Sequence, residues 1–211
     1  MNNLYEMGPA DNVLYFPNNI DVRLCPKNGM SSIKEVFRLY SGHAEYVGKK
    51  HRYSQVKDYS DMLDRPFRKN SHRIAVVRDP VERFKSACEY VASNRIDHIR
   101  NGNYDLPEIG DTLESVILSI ENGTTKNNHF YTQSWYMGKP ADYDILFNMS
   151  ELPLMFRFLQ DACELDIKVD NIHHNRTRHK LYGNDISVDN MARIHTLYEK
   201  DYKNGWFTNK Q

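Results

Sequence analysis

The sequence lacks several features that would place a chain at once. It holds three cysteines, Cys25, Cys88 and Cys163, an odd number with no C-x-x-C pair. Neither a disulfide framework nor a cysteine zinc site is expected, and a reducing compartment, the cytoplasm, is the simpler reading. No stretch approaches the roughly 18 uncharged apolar residues of a membrane span. The opening segment, Met1 to Phe16, has no basic n-region and no apolar core, so it does not read as a signal peptide. Net charge is missing too: 28 Lys and Arg face 28 Asp and Glu. A protein that coats nucleic acid usually carries a basic excess, and none exists here. Internal repeats and low-complexity tracts are also absent, which excludes solenoids and arrays.

What is present is an ordinary globular mixture of 211 residues, 40% hydrophobic and 27% charged. That length suits one α/β domain over residues 1–211, with residues 1–19, rich in Asn and Pro, as an irregular arm. The charge is unevenly spread. Lys49 to Lys85 holds eleven Lys or Arg against five acids, a local excess of six that suits a compact polyanion or a solvated basic face.

Periodicity gives the order of elements. Val22 to Leu24 reads as a strand running into the turn Cys25 to Gly29. Ser31 or Ser32 is expected to cap a helix with Ile33, Val36, Phe37 and Tyr40 on one side. Ile74 to Val77 is four apolar residues in a row, as in a strand buried on both faces. It stops at Arg78-Asp79-Pro80, where Asp79 caps and Pro80 opens a helix whose stripe is Val81, Phe84, Ala87, Cys88 and Val91. Residues 111–121 form a shorter helix, Tyr143 to Phe147 a buried strand, and Ser150 opens a helix with Leu154, Phe156, Phe158 and Leu159. A last helix runs from Val188 to Tyr202. Alternating strands and helices imply right-handed crossovers, a mainly parallel central sheet and an α/β fold. Ligands of such sheets bind beyond the carboxyl ends of the strands, where Lys27 and Arg78 stand.

Two constellations carry chemistry. In Pro26-Lys27-Asn28-Gly29-Met30-Ser31-Ser32, a tight turn feeds a helix start, the arrangement of an anion site. An ordinary capped turn fits the same residues. A kinase-type phosphate loop needs G-x-x-x-x-G-K-S/T, which is absent here; the lone Gly138-Lys139 is followed by Pro140. The second is Arg78 to Ala87, with Arg78 at the strand end and Ser86 eight residues on, about 12 Å of helix. Asp79, Glu82 and Arg83 in it also fit capping and intrahelical pairs.

These residues resemble the cofactor motifs of the sulfotransferase superfamily, in its carbohydrate-type branch, family 2. Pro26 to Ser32 matches the 5′-phosphosulfate loop P-K-x-x-x-T/S-S, and Arg78 to Ala87 matches the 3′-phosphate motif R-D-P-x-x-R-x-x-S-x. His129 to Gln133 is similar to the branch's H-W-x-P-Q, departing at Trp and Pro. Asn175-Arg176-Thr177 resembles an N-R/K-S/T loop, and Leu197 to Tyr202 the closing L-Y-x-x-D-Y. The resemblance implies a P-loop-NTPase-like sulfotransferase fold and transfer of a sulfuryl group from 3′-phosphoadenosine-5′-phosphosulfate, leaving adenosine 3′,5′-bisphosphate. The acceptor is a small-molecule or carbohydrate hydroxyl, and no metal is needed. It implies Lys27 on the leaving oxygen, Asn28, Gly29, Met30, Ser31 and Ser32 around the 5′-phosphate, Arg78 and Ser86 on the 3′-phosphate, and Arg176 nearby. A histidine between the two motifs serves as base in part of the branch, which points to His51, with His129 second and Glu45 as a carboxylate alternative. Tyr131, Trp135 and Tyr136 fit either a sugar platform or, more simply, core. Competing readings are a nucleoside-phosphate-binding or kinase-like protein, a nucleic-acid module built on the basic run, and a sulfotransferase fold without turnover. Oligomeric state is not legible.

Overall fold

In the computed structural model, the described residues are 12–40, 66–100, 112–125, 127–166, 172 and 186–207, with 93–100 described by backbone alone. Their contacts divide into two compact units: residues 1–77 with 133–175, and residues 78–132 with 176–211.

The first unit is an α/β layer. Four strands, β1 (Val13–Phe16), β2 (Ile20–Arg23), β3 (His72–Val77) and β4 (Ile145–Asn148), lie in the order β1-β2-β3-β4. β2, β3 and β4 are parallel, and β1 is antiparallel to β2, so the sheet is mixed. The register pairs Val22 with Ile74 and Ile74 with Ile145. Leu14, Phe16, Ile20, Val22, Leu24, Ile74, Val76 and Phe147 point to one face by the two-residue alternation. Two helices cover that face: α1 (Met30–Tyr40) through Ile33, Val36 and Phe37, and α5 (Leu152–Ala162) through Leu152, Met155, Phe156 and Leu159. A short helix, α4 (Gln133–Met137), belongs to the same unit.

Residues 13–16 correct the irregular arm expected over 1–19. Pro17, Asn18 and Asn19 form the turn after this strand. Ile20 N–H donates to Pro17 O, and Asn18 and Asn19 between them have φ of 52° and 58°. Two positive-φ residues make the tight hairpin turn that Asn tolerates best. A second tie comes from Arg68. Its Nε and backbone N–H both donate to the buried Asp21 carboxylate at 2.6 Å, and its Nη2 reaches Phe16 O and Ile20 O.

The second unit is helical: α2 (Pro80–Arg100), α3 (Leu113–Glu121), α6 (Val188–Leu197) and α7 (Glu199–Lys203). The expected α2 stripe is its core. Val81, Phe84, Ala87, Cys88 and Val91 are buried with Val116, Ile117, Phe130, Ile194 and Tyr198. Asp79 caps α2 as expected, its Oδ1 accepting from Val81 N–H at 2.9 Å and Glu82 N–H at 3.0 Å. Burial pushes the Cys88 thiol far above its ordinary value and the Cys163 thiol up to about 11, and all three buried cysteines are thiols rather than half of a disulfide.

Four expectations need correction. Neither Ser31 nor Ser32 caps α1, because the helix already starts at Met30. β4 is the edge strand among the described residues, where it pairs with β3 alone, and Leu146 and Asn148 are exposed. The buried stripe of α5 is Leu152, Met155, Phe156 and Leu159, at i, i+3, i+4 and i+7, so Phe156 and Leu159 are inside as expected while Leu154, off that stripe, is 56% exposed. The last helix breaks at Tyr198 rather than running through to Tyr202. No helix among the described residues is long and apolar enough to cross a membrane.

Replacing Asp79 by Ala removes both capping bonds and is expected to lower stability by about 1 kcal/mol, while Asp79→Asn keeps most of it. Urea denaturation reads both. An unchanged midpoint for Asp79→Ala would show that the cap contributes nothing.

Candidate functional site

In the first unit, β2 hands over to α1 through a turn with an unusual backbone. Lys27 has φ 70° and Gly29 φ 76°. For glycine this costs little; for lysine the left-handed region costs about 1–2 kcal/mol. Gly29 is required on a second ground: a Cβ there would stand 2.9 Å from Leu152 Cδ2. Between them, Asn28 is 1% exposed and donates from Nδ2 to Val76 O at 2.8 Å and to Gln133 Oε1 at 2.5 Å. The turn thus presents Lys27, half-buried, beside the start of α1.

The first turn of α1 gives the anion side of this arrangement. Met30 and Ser31 are half-buried; Pro26 and Ser32 are buried. Ser32 N–H donates to Gly29 O at 2.9 Å, and Ile33 N–H to the same oxygen at 3.0 Å. The Ser32 amide therefore already has a carbonyl partner, and Ser31 carries the more exposed hydroxyl. Lys27, Ser31 and the positive end of an 11-residue helix fall within five residues of chain, a set of groups that suits a phosphate or sulfate. Burial pulls the Lys34 ammonium, one turn further along, below its ordinary value.

In the second unit, Arg78 and Ser86 are half-buried, one before α2 and one on it. Burial lowers the Arg78 guanidinium from its ordinary value and the nearby Glu82 carboxylate raises it, with Arg83 lowering and Glu89 and Asp79 raising it further. An arginine so placed stays charged and holds five donors in a planar fork. Arg83, three residues into the helix, has a different task from the pairing expected of it. It is fully buried, and its Nη1 donates to Tyr131 O at 2.6 Å. Tyr198 OH donates to Phe130 O at 3.0 Å, and the Phe84 ring packs 5.6 Å from Phe130. Two side-chain donors and an aromatic contact fix the backbone just after His129.

His129 itself is oriented by Asn127. Asn127 Oδ1 accepts the His129 backbone N–H at 2.9 Å, and His129 Nδ1 lies 2.8 Å from the same oxygen. The backbone group can only donate, so the atom facing it is the amide oxygen, and the ring nitrogen must donate as well. The neutral imidazole therefore carries its proton on Nδ1, and Nε2 is its proton-accepting nitrogen. The Tyr90 ring lies 4.4 Å from it.

The structure brings Pro26 to Ser32 together in one unit and Arg78, Ser86 and His129 in the other. His51 and Arg176 lie outside the described residues, as do His43, Glu45 and Asn175. Tyr136 is buried and meets Trp135 edge to face at 4.7 Å, which makes it core; Tyr131 and Trp135 are half-buried. Part of the basic run is structural, with Arg68 on Asp21, Arg83 on Tyr131 O, and Arg73 over the Phe67 ring at 4.9 Å. Sequence reasoning missed Asn127, the clamp made by Arg83, and the bond from Asn28 to Gln133. Each depends on which distant backbone group a polar side chain meets, which no local pattern reports. Comparison with known proteins bears on what these groups serve. No curated protein and no solved structure matches. A family model described as Sulfotransferase family matches residues 18–204, nearly the whole chain and all the groups just placed, so the chain belongs to the sulfotransferase family.

Proposed function

We propose that this sulfotransferase uses 3′-phosphoadenosine-5′-phosphosulfate as donor and a carbohydrate hydroxyl as acceptor, the whole chain acting as one catalytic domain in a reducing compartment, the cytoplasm. The observation that carries the reading is that a half-buried cation and a half-buried hydroxyl recur along two successive strand-to-helix connections. Lys27 and Ser31 lie at the passage from β2 into α1; Arg78 follows β3, and Ser86 lies two turns into α2. A donor with phosphate at both its 5′ and 3′ positions needs two such sets; a simple nucleoside monophosphate needs one. The donor set is cationic and hydroxylic, which suits oxyanions. The carbohydrate acceptor is supported by the likeness of Pro26–Ser32 and His129–Gln133 to the carbohydrate branch.

The donor supplies an activated sulfuryl group on a phosphate leaving group. Around it, the residues position, neutralise and accept a proton, which is what an in-line displacement at sulfur asks of a protein. Lys27 holds the oxygen that gains charge as the sulfur–oxygen bond breaks. Ser31 and the α1 N-terminus hold the 5′-phosphate, and Arg78 with Ser86 hold the 3′-phosphate. His129 Nε2 takes the proton of the attacking hydroxyl, and Asn127, by accepting from Nδ1, selects the neutral tautomer in which Nε2 is the acceptor.

Arg78→Ala is expected to weaken adenosine 3′,5′-bisphosphate by about 1.5–3 kcal/mol and leave AMP affinity unchanged, measured by calorimetry. Equal losses for both nucleotides contradict a 3′-phosphate role. Lys27→Ala and His129→Ala address the chemical step. Lys27→Ala should lower kcat more than it lowers bisphosphate affinity, because its charge acts as the bond breaks. His129→Ala should cost about 100-fold in kcat with bisphosphate affinity retained. If His51→Ala shows that loss and His129→Ala does not, the base is His51.

A further inference from the structure

We infer that Gln133 is a positioning residue, which holds Lys27 in its left-handed conformation through the buried amide of Asn28. The inference rests on the reading of Lys27 given above. A lysine at φ 70° persists only where its surroundings over-determine it. The next residue does this. Both Nδ2 hydrogens of Asn28 have an acceptor, one on the end of β3 at Val76 O and one on the first residue of α4 at Gln133 Oε1. Gln133 is fully buried. The amide cannot turn over, because its oxygen would then face two oxygens. The Asn28 backbone adds a bond to Cys25 O at 3.2 Å, and Gly29 O receives two more from α1. The turn is thereby fixed before, at and after Lys27.

A second observation separates this arrangement from ordinary packing. Asn28 Oδ1 is buried, and no group among the described residues donates to it. An apolar residue of similar size would leave Val76 O and Gln133 Oε1 without the donor that the Asn28 amide gives them. The amide is thus held by the two bonds that its Nδ2 donates, and these tie the turn to β3 and α4. Gln133 also ends the segment that begins with His129, so the proposed base and the residue that sets the lysine are four positions apart in the chain.

The test uses Gln133→Met, which keeps shape and removes the acceptor, Gln133→Glu, which keeps an acceptor oxygen, and Lys27→Ala. Each is measured for adenosine 3′,5′-bisphosphate formation from 3′-phosphoadenosine-5′-phosphosulfate and for bisphosphate binding by calorimetry. Gln133→Met should lose on the order of 10- to 100-fold in kcat, as a misplaced group does, with the bisphosphate dissociation constant changed less than about threefold. Gln133→Glu should recover most of the loss. A Gln133→Met protein with normal kcat, or one that loses binding and turnover alike, overturns the inference. Lys27→Ala tells the failures apart: if it keeps normal turnover, the reading of Lys27 falls and the inference with it. If it loses turnover while Gln133→Met does not, only the inference falls. Should Gln133→Met not fold, hydrogen exchange in the unmodified protein decides. Both Asn28 side-chain amide protons should be protected, and exchange at the rate of a solvent-exposed amide rules the bond network out.

Discussion

The left-handed backbone at Lys27 and Gly29 is the constraint on which the first unit turns. It reverses the chain between β2 and α1 tightly enough for α1 to lie back on the sheet with Ile33, Val36 and Phe37 inward. Gly29 meets Leu152 so closely that no side chain fits, which brings the start of α5 against the same turn. One consequence is structural and the other chemical. The helix N-terminus, with its positive end, follows directly on a lysine and carries a serine, both of them half-buried.

Within each motif the residues divide by burial. Arg83, Ser32 and Asn28 are buried and hold backbone in place, while Lys27, Ser31, Arg78 and Ser86 remain partly exposed. The division explains why R-D-P-x-x-R-x-x-S has two arginines five residues apart: Arg78 precedes the helix, and Arg83 lies inside it on Tyr131 O. In the proposed reading the exposed set meets the donor, and the buried set keeps it from moving. Preorganised groups of this kind act at the moment charge develops, with no reorganisation left to make.

The α/β class, the order of the elements and the cap at Asp79 were legible in the sequence, because each depends on local pattern: a four-residue apolar run, a 3.6-residue stripe, and Asp before Pro. β1 was not, since four residues between Asn-rich stretches give too short an alternation to stand out. The mixed sheet followed from that omission. Leu154 was misplaced because it lies between the Leu152 and Met155 positions of the buried stripe, and apolar character alone does not tell the two sides of α5 apart. The candidate cations were legible from their motifs. Their supports, Asn127, Gln133 and the clamp from Arg83, were not, because they meet partners in three dimensions that spacing does not encode.

The central claim is that Lys27 with Ser31 and Arg78 with Ser86 serve the two phosphates of one adenosine ligand. Thermal denaturation of the purified chain with adenosine 3′,5′-bisphosphate, with AMP and with ATP tests it most directly. At about 100 times its dissociation constant, the bisphosphate should add roughly 2.7 kcal/mol of stability and shift the transition well beyond either comparison nucleotide at the same concentration. Equal shifts for all three, or a larger shift with ATP, would contradict the account.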